Sequence, residues 1–487
     1  MLHDTHIPVL PGTRLDGRRQ PSPRSHRDDP ARAWEPTALA PLLEPSISDF
    51  IYRTPGAIVD LVRQYGSPLN LIRPDILQRN VRAMRAVLER HTRHHEIFYG
   101  AKVNKSPALV RAAIDAGTGI DVSSRHELAD ALRAGGDARR ICASGPAKTQ
   151  AFHADLVQHG AIISLDSSQE LSALEDHLDA GPHSLRARVL LRYQPTLSRN
   201  SRFGMSPQDV RDSLRRLALR PQQLDFLGFH FHLGGYAFED RVAALIELAD
   251  FIGEARRLSL APRIVNVGGG LPVRYVESDA YEMFLRAQGP DHYRNRKVPA
   301  SFYPYGNRLD ACAWLEQFLN APGKDGRRVS DFLAHHDLTL ALEPGRSLAD
   351  QAALSVFAIT HVKTLVDGRC VIFVEGSSFS ACETWFASEF LLDPILISRD
   401  ATKPADDVLL AYIAGHSCLD EDVLTNRLIA FPTVPQPGDL LVYANTGGYQ
   451  MDLLENEFHR HPMPRRLVLD AGGGTRAIPD TLDGDLR

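Results

Sequence analysis

The chain has 487 residues, of which 43% are hydrophobic and 24% are charged, and its formal net charge is −5. This length exceeds a single hydrophobic core and predicts two domains. The charge gives no electrostatic footprint for nucleic acid or for an anionic membrane, and no apolar run is long enough to cross a bilayer. The five cysteines are widely spaced without a C-x-x-C pair, which argues against a disulfide framework and favours a reducing cytoplasm.

The first 45 residues differ from the rest of the chain in composition. They contain eight prolines, six arginines and six acidic residues, without apolar periodicity. The stretch "IPVL" is too short for the apolar centre of a signal peptide. We therefore expect residues 1–45 to form a flexible or loosely docked arm. Residues 46–95 are expected to contribute to a β domain and to supply the first helix.

From residue 96 onward, short apolar runs alternate with helical stretches. Such alternation predicts βαβ units and a parallel sheet. "SRHE" (124–127) and "SSQE" (167–170) fit the capping box that begins a helix. Eight strands separated by helices predict a (β/α)8 barrel over residues 96–346. The predicted strands are "EIFYGAK" (96–102), "GIDVS" (119–123), "RICAS" (140–144), "AIISLD" (161–166), "ARVLLRY" (187–193), "DFLGFHFH" (225–232), "RIVNVGG" (263–269) and "LTLALEPG" (338–345).

Two further segments flank or interrupt this repeating region. The stretch 275–336 exceeds an ordinary connection, so we interpret it as an insertion near the barrel mouth. After residue 346, β-like runs such as "CVIFVEG" and "DLLVYANTGGY" follow one another without intervening helices. Residues 347–487 are therefore predicted to form a C-terminal antiparallel β domain.

A lysine stands at the end of the first predicted barrel strand, in "FYGAKVNKSP" (98–107). Lys102 fits either a solvated strand end or a lysine with a chemical role at a buried site. In a (β/α)8 barrel the working residues lie at the C-terminal ends of the strands. Asp121, His232, Gly268–Gly270 and Glu343 lie at such ends too, which favours the chemical role.

Three short motifs at strand ends each allow two interpretations. "NVGGGLP" (266–272) is either a turn or a row of backbone N–H groups for a phosphate. "EPGR" (343–346) is either a surface ion pair or a site for a ligand that has a cationic nitrogen and an anionic group. "HFH" places His230 and His232 on one face of a strand, where they could bind a metal or stack on a flat cofactor.

Pyridoxal phosphate is one ligand that accounts for all of these features together. Lys102 would form a Schiff base with its aldehyde, and the glycine amides and Arg346 would hold its phosphate. His232 would stack on the pyridine ring, and Glu343 would pair with the ring nitrogen.

With these motifs the chain resembles a known family, the fold-type III pyridoxal-phosphate-dependent amino-acid decarboxylases. That family includes the diaminopimelate, ornithine and arginine decarboxylases and has an alanine-racemase-like barrel. The resemblance covers about residues 65–470, and the order and approximate spacing of the motifs also match. The motifs are "YGAKVN" (99–104), "SRFGM" (201–205), "GFHFHLGG" (228–235), "NVGGG" (266–270), "EPGR" (343–346), "GHSCLDEDVL" (415–424) and "GDLLVYANTGGYQ" (438–450).

The resemblance implies a role for each matching residue. Lys102 carries the cofactor, with Asp121 among the cofactor-binding residues, and Glu343 faces the pyridine nitrogen. Cys418 is the acid that reprotonates the substrate carbon, and it reaches in from the partner subunit of a homodimer with shared active sites. The phosphate is held by Gly268, Gly269, Gly270, Arg346 and Tyr449.

Two departures from the family pattern concern the phosphate and the substrate. Gly235 stands where the family usually has a serine hydroxyl near the phosphate. Leu419 follows Cys418, where diamino-acid enzymes resemble one another in having an acid that meets the distal cation of the substrate. Because an unpaired buried ammonium is costly, the sequence disfavours lysine, ornithine or arginine as substrate, unless Asp420 takes this role.

The resemblance also implies a dimer contact, in which Arg202 of one subunit meets Asp422 of the other. The sequence therefore predicts a pyridoxal-phosphate-dependent decarboxylase of an amino acid or an amino-acid derivative. The alternatives are a racemase or epimerase on the same scaffold, a non-catalytic pyridoxal-phosphate-binding protein, and a metal hydrolase built on His230 and His232. Glu343 argues against the racemase, since the related alanine racemases resemble enzymes with arginine at that position.

Overall fold

The structure is a computed structural model. It describes residues 37–182, 184–323, 326–378, 388–399, 404–453, 457–470 and 476–481. The first 36 residues of the predicted arm therefore lie outside the described residues. No helix in the described ranges combines the length and the apolarity that crossing a bilayer requires.

The centre of the fold is a closed barrel of eight parallel strands, which confirms the predicted (β/α)8 architecture. Each predicted run forms one strand, and the order around the barrel is the order along the chain. Parallel neighbours place the C-terminal ends of all eight strands at one rim. The strands are β2 (His95–Gly100), β3 (Gly119–Val122), β4 (Ile141–Ala143), β5 (Ile162–Leu165), β6 (Ala187–Arg192), β7 (Leu224–His230), β8 (Ile264–Asn266) and β9 (Thr339–Leu342).

The helices begin where the sequence supplies side-chain caps. Ser124 Oγ accepts a hydrogen bond from the N–H of Glu127, and Ser167 Oγ accepts one from Glu170, as the two predicted capping boxes require. The helices in the described residues are α1 (Pro45–Tyr52), α2 (Pro55–Tyr65), α3 (Pro74–His91), α4 (Pro107–Asp115), α5 (Arg125–Arg133), α6 (Gln150–His159), α7 (Ser168–Ala180), α8 (Pro207–Leu219), α9 (Phe238–Arg257), α10 (Ser278–Ala287), α11 (Ala311–Asn320) and α12 (Val329–His335).

The second domain is a mixed sheet, whereas the sequence predicted an antiparallel one. Most of its pairs are antiparallel, but Cys370–Val374 pairs in parallel with Pro404–Ala414, and Leu69–Ile72 pairs in parallel with Arg465–Leu469. Short runs separated by turns do not reveal which neighbour a strand pairs with, so this difference could not be seen in the sequence. The strands are β1 (Leu69–Ile72), β10 (Ala353–Thr364), β11 (Cys370–Val374), β12 (Ile395–Ile397), β13 (Pro404–Ala414), β14 (Val423–Thr433), β15 (Leu440–Ala444), β16 (Arg465–Leu469) and β17 (Ala477–Pro479).

Segments before and within the barrel sequence tie the two domains together. Strand β1 lies between β10 and β16 in the second sheet, so the segment before the barrel supplies a central strand. The folded chain begins before residue 46, because Leu39 is fully buried and the N–H of Leu42 donates to the Tyr275 carbonyl at 2.7 Å. Within 275–336, helix α11 packs against α3 and α9 and so forms part of the barrel wall.

Candidate active site

Lys102 lies at the C-terminal rim of the barrel, two residues after β2 ends at Gly100. A short turn over Ala101–Val103 carries it, and Ser106 then begins helix α4 by accepting a hydrogen bond from the N–H of Leu109. The turn lies between a buried strand and a capped helix, so its backbone is fixed at both ends. The side chain of Lys102 is therefore presented to the rim from a rigid base.

Lys102 pairs with a buried carboxylate on the neighbouring strand. Its Nζ lies 2.8 Å from Asp121 Oδ2, and Asp121 is fully buried in β3. Burial opposes the charge on Lys102, but Asp121 and Glu343 raise the pKa of its ammonium above the usual value. Among the described residues, the second carboxylate oxygen of Asp121 is buried and has no hydrogen-bond partner. The lysine therefore stands in a polar, negatively charged site.

Glu343 supplies the second buried carboxylate of the site. Its Oε1 accepts a hydrogen bond from Asn266 Nδ2 at 2.7 Å and lies 3.6 Å from His230 Nε2. Burial and the neighbouring Asp121 raise the pKa of Glu343. Beside Asp121, Glu343 therefore favours its protonated form, and a cationic ring nitrogen next to it would favour the carboxylate.

The two histidines of "HFH" occupy different surroundings. Ser164 Oγ lies 2.7 Å from His230 Nδ1, and Gly269 donates its N–H to His232 Nδ1 at 3.2 Å. Burial lowers the pKa of His232 to about 3, so its ring is neutral at physiological pH and suits stacking on a pyridine. The described residues contain no group of three or more His, Cys, Asp or Glu side chains arranged for a metal ion.

The glycine loop after β8 passes so close to other groups that side chains would not fit. A Cβ atom on Gly268 would lie 2.6 Å from His232 Nδ1, and one on Gly269 would lie 2.3 Å from the carbonyl oxygen of Glu343. Gly268 and Gly270 also have positive φ angles of 71° and 76°. The loop therefore places backbone without side chains next to His232 and Glu343, as binding a phosphate requires.

Arg346 and Tyr449 join this site from the segments that follow β9 and β15. Arg346 Nη1 donates to the carbonyl of Gly448 at 2.9 Å, and its guanidinium lies 5.0 Å from the centre of the Tyr449 ring. The N–H of Tyr449 donates to the carbonyl of Val103 at 2.8 Å, next to Lys102. The fold thus assembles Lys102, Asp121, His232, Gly268, Gly269, Gly270, Glu343, Arg346 and Tyr449 around one rim.

The fit to pyridoxal phosphate rests on these contacts. A lysine amine is available for the aldehyde, a neutral imidazole for the ring face, and a buried carboxylate for the ring nitrogen. Glycine backbone and an arginine lie where an anionic group is expected. Each of these groups is held by a hydrogen bond or a close contact within the fold, so the site is pre-formed.

The loop that carries Cys418 contacts other residues instead. Cys418 is exposed, and its Sγ lies 3.1 Å from His459 Nε2. Leu419 is 45% exposed, and Arg294 lies 3.0 Å from both Asp420 and Glu421. In the part of the chain that the structure describes, these loop residues do not contact Lys102 or Glu343.

The two residues predicted to meet across a dimer interface have partners within the chain. The guanidinium of Arg202 lies 4.3 Å from the ring centre of Phe203. Asp422 accepts hydrogen bonds from Ser377 Oγ and from the N–H groups of Ser378 and Ser417. Burial opposes its ionisation, yet these donors lower the pKa of Asp422. Asp422 therefore fixes the turn that carries Cys418, and its contact with Arg202 of a second subunit stays a prediction.

Several supporting residues were missed in the sequence. Asn266 bridges the site, since its side chain donates to Glu343 and accepts from the N–H of Gly268. Arg192 ends β6 and pairs with Asp166 at 3.0 Å. Their positions at strand ends were a usable signal for Asn266, Asp166 and Arg192. Sequence spacing gave no such signal for Tyr303, which stacks on Arg346 at 4.1 Å, or for His459.

Comparisons with known proteins bear on this site. The family described as pyridoxal-dependent decarboxylase, pyridoxal binding domain, matches residues 75–288. An uncharacterized protein y4yA of Sinorhizobium fredii is 53% identical over 448 residues, which is 91% of this chain and 97% of that protein. The diaminopimelate decarboxylase of Deinococcus radiodurans is 31% identical over 430 residues, covering 85% of this chain and 92% of that protein.

Two more distant similarities extend the comparison. An L-glutamyl-[BtrI acyl-carrier protein] decarboxylase of Niallia circulans is 25% identical over 439 residues, covering 84% of this chain and 90% of that protein. The crystal structure of diaminopimelate decarboxylase from M. jannaschii superposes with a TM-score of 0.67 at 19% identity, covering 87% of this chain and 91% of that one. The chain therefore belongs to the pyridoxal-dependent decarboxylase family, and it is a carboxy-lyase that uses pyridoxal phosphate.

Proposed function

We propose that this enzyme decarboxylates an amino acid, or an amino-acid derivative, whose far end carries no positive charge. One observation carries the proposal. Leu419 is the exposed residue that directly follows Cys418, and the next two residues, Asp420 and Glu421, both pair with Arg294. The loop therefore has no unpaired carboxylate to offer to a substrate ammonium.

The two ion pairs of Arg294 are weak, but the backbone of Arg294 is held in place. Both carboxylates are largely exposed, so each pair contributes only about 0–1 kcal/mol. The arginine itself is anchored, because its N–H donates to Asn426 and its carbonyl accepts from Arg369. An unpaired buried ammonium costs several kcal/mol by comparison, so a diamino acid would need a free acid close to its far end.

The contacts of the barrel residues support the following proposed roles. When bound, the cofactor withdraws electrons from the substrate α-carbon and so allows its carboxylate to leave as carbon dioxide. Lys102 would hold the cofactor aldehyde, and the neutral ring of His232 would pack against the pyridine. Glu343, held by Asn266, would pair with the ring nitrogen and favour its protonation. Cys418 donates the proton that replaces the carboxylate.

An amino-acid derivative attached to a larger carrier is a second candidate for the substrate. The relative from Niallia circulans is named for a glutamyl group on an acyl-carrier protein, and that group carries no distal cation. An exposed leucine beside Cys418 suits a linked or apolar substrate better than a free diamino acid. A racemase remains less favoured, because a carboxylate rather than an arginine stands at position 343.

We further propose a homodimer with shared active sites. Cys418 is exposed on the second domain and touches His459 rather than the barrel residues that surround Lys102. A proton donor at that position would serve the barrel of a partner subunit. The Arg202–Asp422 contact would lie at the same interface, next to the turn that presents Cys418.

A substrate panel with carbon dioxide release as the readout tests the function. It should span basic, acidic, aromatic and aliphatic amino acids of both hands, together with glutamyl thioesters as conjugate probes. We expect release from an acidic, apolar or conjugated substrate, with kcat/KM for lysine and ornithine at least about 100-fold lower. Efficient, saturable release from ornithine or lysine would contradict the proposal and would assign substrate recognition to Asp420.

A further inference from the structure

Arg241 is a fully buried cation in the first turns of helix α9, behind the glycine loop. Its guanidinium donates hydrogen bonds of 3.0–3.3 Å to backbone carbonyls of two separate loops, one after β7 and one after β8. The five acceptors are the carbonyl oxygens of Leu233, Gly235, Ala237, Gly269 and Gly270. One side chain therefore fixes the orientation of both loops.

These bonds decide where the backbone donors of the loops point. In a trans peptide the carbonyl and the following N–H point in opposite directions. The Leu233 and Gly269 carbonyls face Arg241, so the N–H groups of Gly234 and Gly270 face away from it. Within the described ranges, neither N–H donates to a protein acceptor. The two loops thus present free N–H donors on the side opposite the arginine, as an anion site requires.

The charge of Arg241 has no carboxylate in direct contact among the described residues, and the neighbouring Asp240 favours it only at a distance. No ion pair to Arg241 is found among the described residues, and its contacts are backbone carbonyls and the Trp314 ring, 5.4 Å away. Burial lowers the pKa of Arg241 to about 10. A buried cation without a direct ion-pair partner is unfavourable. A dianionic phosphate on the far side of the loops would supply the missing charge.

We propose that Arg241 is a positioning residue for the phosphate of the cofactor. It acts through the loops, by turning the Gly234 and Gly270 N–H groups toward the phosphate and by placing a positive charge behind them. The inference concerns cofactor binding, so its test does not depend on the substrate proposed above. It predicts an effect on the phosphorylated cofactor that unphosphorylated pyridoxal does not share.

The test uses the full-length enzyme from which the cofactor has been removed. Absorbance measures its dissociation constants for pyridoxal phosphate and for pyridoxal. Arg241→Met keeps the apolar stem and removes the charge and the donors. We expect its dissociation constant for pyridoxal phosphate to rise about 100-fold, while that for pyridoxal changes less than about threefold. Arg241→Lys keeps the charge but cannot span both loops, so we expect an intermediate rise of about tenfold.

Arg257→Met is the matched control, because Arg257 is an exposed cation at the other end of the same helix. It should leave both dissociation constants unchanged. Circular dichroism and the melting temperature of the cofactor-free variants report on folding. If Arg241→Met does not fold, the test rests on Arg241→Lys. Its dissociation constant for pyridoxal phosphate should rise more than its dissociation constant for pyridoxal. Equal losses for pyridoxal phosphate and pyridoxal, or no loss for either, would overturn the proposal.

Discussion

The Sγ atom of Cys418 lies 3.1 Å from Nε2 of His459, a residue 41 positions further along the chain. The backbone N–H of Cys418 points to the same nitrogen at 3.4 Å, and His459 adopts a left-handed φ of 58°. Next to this pair, His416 and His461 stack with 3.6 Å between their ring centres. An imidazole this close can take the thiol proton and return it, which suits the proposed role of Cys418 as the proton donor.

Replacing the imidazole should make the Cys418 thiol less reactive. In His459→Gln, we expect the rate of alkylation by iodoacetamide at pH 7 to fall about tenfold, because no base remains to accept the S–H proton. Mass spectrometry of the peptide that contains Cys418 measures the rate. His461→Gln is the control, because His461 stacks on His416 and is not the residue in contact with the thiol. An unchanged rate in His459→Gln would show that the contact has no chemical role.

Removing the thiol should affect turnover more than substrate binding. In Cys418→Ala, we expect kcat to fall about 100-fold with KM within about threefold, since the proton is delivered only after the carboxylate has left. Protonation at another position should also raise the ratio of carbonyl side product to amine product, which chromatography measures. Cys312→Ala, in helix α11, serves as the control. Normal turnover without side product would show that Cys418 is not the proton donor.

A carboxylate placed directly after Cys418 should allow the enzyme to accept basic substrates. In Leu419→Asp, we expect kcat/KM for lysine or ornithine to rise at least about tenfold, because the acid can pair with the distal ammonium. Leu419→Asn has nearly the same shape without the charge, and it should give no such gain. Carbon dioxide release over the substrate panel measures both. An equal gain in the two variants would show that polarity, rather than charge, limits access.

Hybrid dimers should show whether the site is shared. Mixing Lys102→Ala chains with Cys418→Ala chains should restore about a quarter of wild-type activity, because half of the dimers are hybrids and one of their two sites keeps both residues. Activity is measured on a mixture whose hybrid content native mass spectrometry has verified. Each variant alone is the control. An inactive verified hybrid would mean that each site is built from a single chain.

Glu389 should make stability depend on pH. It is 1% exposed, and burial raises its pKa to about 7 from an unfolded value of 4.5. Below about pH 4.5 it is protonated in both states. Between about pH 4.5 and 7 the folded protein keeps this proton, whereas the unfolded chain releases it. The free energy of unfolding therefore falls as pH rises through this range, and the contribution of Glu389 is lost above about pH 7. At pH 8 we expect the free energy of unfolding of Glu389→Gln to exceed that of wild type by roughly 3 kcal/mol. The variant should therefore unfold at a higher temperature.

The two proteins should differ little at pH 4.5, where wild-type Glu389 is also neutral. Thermal denaturation followed by circular dichroism at both pH values measures the difference. Glu89→Gln, at an exposed position of helix α3, is the control and should match wild type throughout. A stability difference that does not change with pH would contradict the assigned ionisation of Glu389.

The sequence by itself determined the barrel and the identity of its cofactor. All eight barrel strands lie within or at the predicted runs, because strands buried on both faces are continuously apolar and the helices between them begin at side-chain caps. Lys102, His232, Gly268 and Glu343 are each readable as strand-end residues. Strand order along the chain is also strand order around the barrel, so local patterns were sufficient to bring these residues to one rim.

Only the tertiary structure decided the contacts that join distant segments. Strand β1 enters the second sheet in parallel with β16, almost 400 residues later, and Cys418 meets His459 across two loops. Arg294 pairs with Asp420 from within the insertion, and Arg241 bonds to the glycine loop from a helix that carries no recognisable motif. Charge pairing and backbone hydrogen bonds depend on distance in space, and no periodicity along the chain encodes that distance.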